Sequence, residues 1–240
     1  MTYCVGLLLN EGMVLLSDTR TNAGLDNIAT YRKMFHFENP GERIITVLTA
    51  GSLSVTQTTI ARLRDAIDSP DATPETSVLL APTMLAVAEI IGDVLAKVRR
   101  DIDEKLSMAQ GASATMIVAG QRKGGGMRMF LIYPEGNFIE ATEDTPFLQI
   151  GEHKYGKPIL DRVVKPTTSI SDAQKAVLLS MDSTLRSNLS VGMPLDLCVV
   201  IRDEFRIGTL RRIEAGDEAF RAMSDAWSHA LREGFSQIAI

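Results

Sequence analysis

The chain has 240 residues, 45% of them hydrophobic and 23% charged, with a net charge of −5. It is long enough to bury a large core, and it lacks the basic tract that a nucleic-acid partner requires. Its apolar runs have the length of strands, far short of a membrane span, and its first residues do not read as a secretion signal. The expectation is a cytoplasmic protein with neither nucleic-acid nor membrane partners.

Residues 2–9 read as a first strand, 10–12 as a turn and 13–17 as a second strand. Their near-continuous apolar character predicts burial on both faces. Residues 19–29 are polar and contain glycine, so a loop is expected. Residues 31–37 alternate and read as a strand containing Lys33, and Asn39-Pro40-Gly41 turns the chain into a buried strand over 43–49. Helices follow. Ile60, Leu63 and Ile67 mark one over 54–67, and Met84, Val87, Ile91, Val94, Val98 and Ile102 mark a longer one over 81–108.

The second half opens with strands over 114–119 and 127–133, joined by a glycine-rich turn at 121–126. Short strands are expected at 138–141 and 147–150. A helix starts near Gly151 and ends before Lys165-Pro166. Ser171-Asp172-Ala173-Gln174 reads as a capping box that opens a helix running to about Leu189. Strands over 195–201 and 206–210 and a helix over 217–235 complete the chain. No repeat, linker or low-complexity tract divides it, so residues 1–240 are expected to form a single domain. Grouped strands and grouped helices predict an α+β fold, a four-layer αββα sandwich.

Three polar residues punctuate the first strands: Thr2, Asp18 and Lys33. Neighbouring strands lie about 5 Å apart, so adjacent strands would let these side chains converge. Removal of Met1 would leave Thr2 with both a hydroxyl nucleophile and a free α-amine. Such an amine has an ordinary pKa of about 7.7–8.0 and can serve as the base. A lysine ammonium there would stabilise developing negative charge, and an aspartate would keep it charged and oriented. Gly51 ends a buried strand before a helix, where a backbone N–H can face an oxyanion. Taken singly, each has a plain alternative: a residue after the start, a surface carboxylate, a snorkelling lysine, a turn glycine.

In order, Thr2, Gly12, Ser17-Asp18, Gly24, Lys33 and Ala50-Gly51-Ser52 resemble β-type proteasome subunits and HslV-type peptidases, which are N-terminal nucleophile hydrolases. The stretches TYCVGLLLNEGMVLLSDTRTNAG, YRKMFHF, LTAGSLSVTQ and QIGEHKYGKPILDR resemble the bacterial Anbu group, the proteasome-like ancestral β-subunits. The resemblance implies an acyl-enzyme on Thr2, with Lys33, Asp18 and Gly51 as tuning cation, orienter and oxyanion donor. It also implies a pocket drawing on Thr21, Thr49 and Leu53, a peptide or amide substrate, and no cofactor or metal. A homo-oligomer is expected, as a closed ring or an open helical assembly, with any unfoldase or accessory protein unknown.

Two family features are altered. Gly151-Glu152-His153-Lys154 stands where proteasome subunits carry Gly-Ser-Gly, and Ser187-Asn188-Leu189-Ser190 lacks the family's aspartate, which leaves Ser190 in a supporting role. Only Met1 precedes Thr2, so no longer propeptide is expected. A non-catalytic assembly subunit of the same fold, and an amidase or amide-forming enzyme for a specialised conjugate, remain open alternatives. Cys4 and Cys198 read as reduced core thiols, and the scattered His36, His153 and His229 do not suggest a metal site.

Overall fold

A computed structural model describes residues 2–22, 28–106 and 112–239. The opening hairpin is β1 (Tyr3–Leu8) and β2 (Gly12–Asp18). A small ribbon of β3 (Arg20–Asn22) and β4 (Ile28–Thr30) occupies part of the expected loop. Next come β5 (Met34–Asn39) and β6 (Arg43–Gly51), followed by the helices α1 (Leu53–Asp68) and α2 (Met84–Leu106). The second half contains β7 (Ala114–Arg122), β8 (Arg128–Ile132), β9 (Phe138–Glu140) and β10 (Phe147–Gly151). A 3₁₀ turn leads to α3 (Lys157–Val163) and α4 (Ile170–Ser187). The chain closes with β11 (Leu195–Ile201), β12 (Thr209–Ile213) and α5 (Glu218–Gln237).

The strands form two antiparallel five-stranded sheets, ordered β10-β1-β2-β11-β12 and β5-β6-β7-β8-β9. Successive side chains on a strand point to opposite faces, and here both faces are buried. Tyr3, Val5 and Leu7 of β1, with Val14 and Leu16 of β2, pack against Leu160, Val177 and Met181 of the second helical pair. Cys4, Met13 and Leu15 point the other way, onto Ile44, Leu48, Ile117 and Met129 of the facing sheet. That sheet turns Ile45, Val47, Met116 and Val118 outward onto Val55, Leu63, Val87 and Ile91 of α1 and α2. The layers therefore run helices, sheet, sheet, helices: the expected αββα sandwich.

Several boundaries differ from expectation. Lys33 precedes β5 instead of lying within it, because the chain at 31–33 is still crossing from the ribbon to the sheet. The capping residue of α4 is Ser169, whose side chain accepts the Asp172 N–H at 3.1 Å, so Ser171 lies inside the helix. β12 begins at Thr209, three residues later than expected, because Asp203 and Phe205 adopt positive φ in the preceding turn. The helix expected near Gly151 is split into the 3₁₀ turn and α3. Met1, Gly24 and the expected end of the second helix at Met108 lie outside the described residues. The apolar stripe of α5 adds little to the core: Leu231 and Phe235 are exposed, as is Ile238 just beyond the helix. No helix among the described residues is long and apolar enough to cross a membrane.

The inter-sheet layer is expected to carry more stability than the sheet edge. Leu15→Ala, at a fully buried position between the sheets, is expected to cost about 2–5 kcal/mol in denaturant unfolding. Ile139→Ala on β9, 47% exposed, is expected to stay within about 0.5 kcal/mol. Equal losses at the two positions would contradict the layering.

Candidate active site

The site forms where the ends of β1, β2 and β6 meet the segment entering β5. Thr2 sits one residue before β1 and is buried, with only 7% of its surface exposed. Its carbonyl accepts the Glu152 N–H at 2.7 Å. Gly151 makes this approach possible: it has φ +79°, and a Cβ there would lie 1.9 Å from the Thr2 carbonyl oxygen. Gly151-Glu152 thus holds the start of β1 through its backbone. On the other face of β1, the Tyr3 hydroxyl lies 2.6 Å from Ser180 Oγ and accepts the Gln149 side-chain N–H at 2.6 Å. Burial pushes the Tyr3 pKa up to about 12, so the ring stays a neutral anchor between the first strand and α4.

Asp18 ends β2 and is fully buried; Lys33 is 5% exposed. Lys33 Nζ donates to Asp18 Oδ1 at 2.8 Å and to the Arg20 carbonyl at 2.5 Å. Asp18 Oδ1 also accepts the Tyr3 N–H at 3.1 Å, and Oδ2 accepts the Gly192 N–H at 3.2 Å. Burial pushes the Asp18 carboxyl upward, while Lys33 and the two backbone N–H groups pull it back down. A buried charge needs partners of this kind, and the carboxylate has three. An ammonium carries three N–H donors, so two anchor Lys33 and the third remains for the cleft.

Gly51 ends β6 opposite Ala114. Its φ is +113°, and a Cβ there would lie 2.4 Å from the Ser113 carbonyl oxygen, so only glycine fits without displacement. The direction of its N–H follows from the ladder. Ser52 N–H donates toward β7, to Ser113, at 2.8 Å, whereas Thr49 N–H donates to the other side, to the Lys33 carbonyl, at 2.9 Å. N–H groups two residues apart on a strand share a side. The Gly51 N–H therefore points to the Lys33 side, beyond the start of β5.

Thr2, Lys33 and Gly51 line one cleft of about 330 Å³, together with Thr21, Thr49 and Leu53. All three residues expected to form the pocket are thus gathered around Thr2. Asp18 lies behind Lys33. Ser190 is not brought into this cluster: its N–H bonds the Asn188 side chain at 2.9 Å, and its side chain makes no hydrogen bond among the described residues. The contact to Asp18 comes instead from Gly192, two residues on. Residue types gave no warning of the Arg20 carbonyl or of the Tyr3, Glu152 and Gly192 N–H groups, since backbone atoms carry no sequence signal. Among the described residues no cluster of His, Cys, Asp and Glu could hold a metal, and Cys4 and Cys198 are free and buried between the sheets.

The ion pair sets a pH signature. Asp18→Asn would leave a buried ammonium without its counter-charge and is expected to cost about 3–5 kcal/mol. Lys33→Met is expected to cost less, because Asp18 can take up a proton. Its folded pKa, already raised by burial, then rises further above the unfolded value of about 3.9. The folded variant holds a proton that the unfolded chain releases, so its stability should fall as pH rises from about 4 through the folded pKa. Urea unfolding of Lys33→Met across pH checks this; a flat profile would show that the carboxyl does not titrate in the fold.

Comparison with known proteins agrees with the fold. The Proteasome subunit family matches residues 2–200, a match that begins at Thr2. No curated protein sequence matches the chain. Among solved structures, a Gly-1 mutant of Anbu from Hyphomicrobium sp. strain MC1 is 48% identical with a TM-score of 0.94, covering 100% of this chain and 99% of that one. Anbu from Yersinia bercovieri, described as an ancestral β-subunit, is 40% identical with a TM-score of 0.92 and covers 99% and 98%. The helical assembly of the Anbu complex from Pseudomonas aeruginosa is 43% identical with a TM-score of 0.93 and covers 99% and 97%. On sequence and fold together, the chain belongs to the proteasome-subunit family and is similar throughout to Anbu.

Proposed function

We propose that the chain is a threonine-type N-terminal nucleophile hydrolase that cleaves peptide or amide bonds through an ester on Thr2 once Met1 is removed. The observation that carries this reading is the shared cleft of Thr2, Lys33 and Gly51, backed by the buried Lys33–Asp18 pair at 2.8 Å. Thr2 Oγ attacks the carbonyl carbon, and its proton passes to the Thr2 α-amine. Lys33 favours the negative charge that develops, and the Gly51 N–H donates to the oxyanion. The C–N bond breaks as the amine group returns the proton to the leaving nitrogen. Water then attacks the ester, and the carboxylic acid and free Thr2 are released. Asp18 holds Lys33 in place, and Thr21, Thr49 and Leu53 contact the acyl group. Ser190 acts indirectly, in the loop that presents Gly192 to Asp18.

The same reading includes a homo-oligomer in the cytoplasm. The similarity to the Anbu helical assembly and the exposed Leu231 and Phe235 of α5, with Ile238 just beyond it, support self-association. The two free buried thiols suit a reducing compartment.

Intact mass of the purified full-length chain, before and after treatment with a peptide β-lactone, tests both processing and nucleophilicity. The expected result is loss of Met1, one adduct on the wild type and none on Thr2→Ala. Lys33→Met is expected to slow adduct formation by about a hundredfold or more. Retained Met1 would favour the non-catalytic assembly subunit, and labelling that persists in Thr2→Ala would overturn the assignment.

A further inference from the structure

The cleft at Thr2 contains a charge that the hydrolase chemistry leaves unused. Arg32 is exposed at the cleft wall, beside Thr2, Thr21 and Lys33. Lys33 is committed to Asp18 and the Arg20 carbonyl. Arg32 makes no ion pair or hydrogen bond among the described residues, and no carboxylate among them lines the cleft. Nearby arginines are paired: Arg212 grips Asp196 with two bonds of 2.8 and 2.9 Å, and Arg20 donates to the Leu189 carbonyl at 3.0 Å.

The hydroxyls around Arg32 narrow the chemistry. Thr49 Oγ1 donates to the Lys33 carbonyl and Thr56 Oγ1 to the Leu53 carbonyl. Thr21 Oγ1 has no partner among the described residues and lines the same cleft. Among the described residues, and besides Thr2 itself, the wall therefore offers a planar guanidinium fork and the Thr21 hydroxyl, both able to donate, with no carboxylate to neutralise them. An arginine fork matches a carboxylate in two parallel hydrogen bonds, and such charge-assisted bonds are the strong ones. Arg32 also lines an adjoining cavity of about 260 Å³ with Met34, His36 and Asp196. Arg32 thus borders two hollows. Asp196 is held by Arg212 and does not pair with Arg32.

We propose that Arg32 selects substrates whose acyl group carries a carboxylate, such as a glutamyl or aspartyl side chain, next to the carbonyl that Thr2 attacks. Thr21 donates the supporting hydrogen bond. The acyl side is assigned because that group stays bound to Thr2 in the cleft after the amine departs. This inference rests on the hydrolase reading above, and two measurements separate them.

The first measures binding without chemistry. Acetylated, amidated tripeptides ending in Glu or Gln are titrated by calorimetry into full-length Thr2→Ala. The Glu peptide is expected to bind about tenfold to a hundredfold more tightly. Adding Arg32→Gln should bring the ratio to about one, and Arg32→Glu should reverse it. Thr21→Val should reduce it in part. The second measures acylation of the wild type by β-lactone probes differing only in Glu against Gln, read as mass adducts; the Glu probe should react faster by a similar factor. Equal binding of the two peptides, or a ratio that survives Arg32→Gln, overturns the acidic preference whatever Thr2 does. Preferential Glu binding with neither probe acylating Thr2 upholds the preference and overturns only the hydrolase reading.

Discussion

The buried pair of Asp18 and Lys33 is the interaction around which this end of the molecule is arranged. Two opposite charges removed from water are costly, and the cost is offset only by close pairing backed by further hydrogen bonds. Holding the pair draws on five separate stretches of chain. β1 supplies the Tyr3 N–H, β2 supplies Asp18, the segment entering β5 supplies Lys33, the Arg20 carbonyl comes from the start of the ribbon, and the loop after α4 supplies the Gly192 N–H. The same contacts that satisfy the pair therefore fix the position of Thr2, one residue ahead of Tyr3. Stability and site geometry are therefore bound together at this end of the molecule.

The two-sided burial of both sheets makes this possible. A sheet with one solvated face could place Thr2 and Lys33 near each other only at a wet surface, where the ion pair would be screened and worth little. Stacking the sheets buries Cys4 and Leu15 against Leu48 and Ile117, and the strand ends at the rim of that layer inherit a partly dehydrated environment. Glycine enters at two places for steric reasons. Gly51 lets β6 finish against Ser113 with its N–H turned to the cleft, and Gly151 lets β10 close on the Thr2 carbonyl. Neither residue offers the cleft a side chain, yet a Cβ at Gly51 would push against Ser113 and Ala114, and one at Gly151 against Thr2 itself.

Much of the fold was legible from the residues because a buried sheet and an amphipathic helix have different periods. The run from Tyr3 to Leu9 and the stripe through Met84, Val87 and Ile91 could not exchange roles. Boundaries were less legible where tertiary contacts decide them. Lys33 alternates with apolar neighbours as a strand residue would, but the chain joins the sheet one residue later. Ser171 begins a passable capping pattern, yet Ser169 caps the helix because the preceding turn delivers it there. In the site, Thr2, Asp18, Lys33 and Gly51 were legible as residue types in order. The Gly192 N–H that meets Asp18, two residues beyond Ser190, was not legible, because a backbone group carries no residue signal.

By itself, the sequence determined which residues could do chemistry and that the chain would form alternating blocks of buried strands and striped helices. Those properties are local: a side chain's functional group and the period of its neighbours do not depend on the rest of the molecule. Only the tertiary structure decided that Thr21, Thr49 and Leu53 line one cleft with Thr2, that the Gly192 N–H and the Arg20 carbonyl bond the charged pair behind it, and that Arg32 stands in the same wall with no partner among the described residues. These are long-range contacts, many of them through backbone atoms, and their existence depends on sheet register and loop path. A linear pattern of residue types does not encode them.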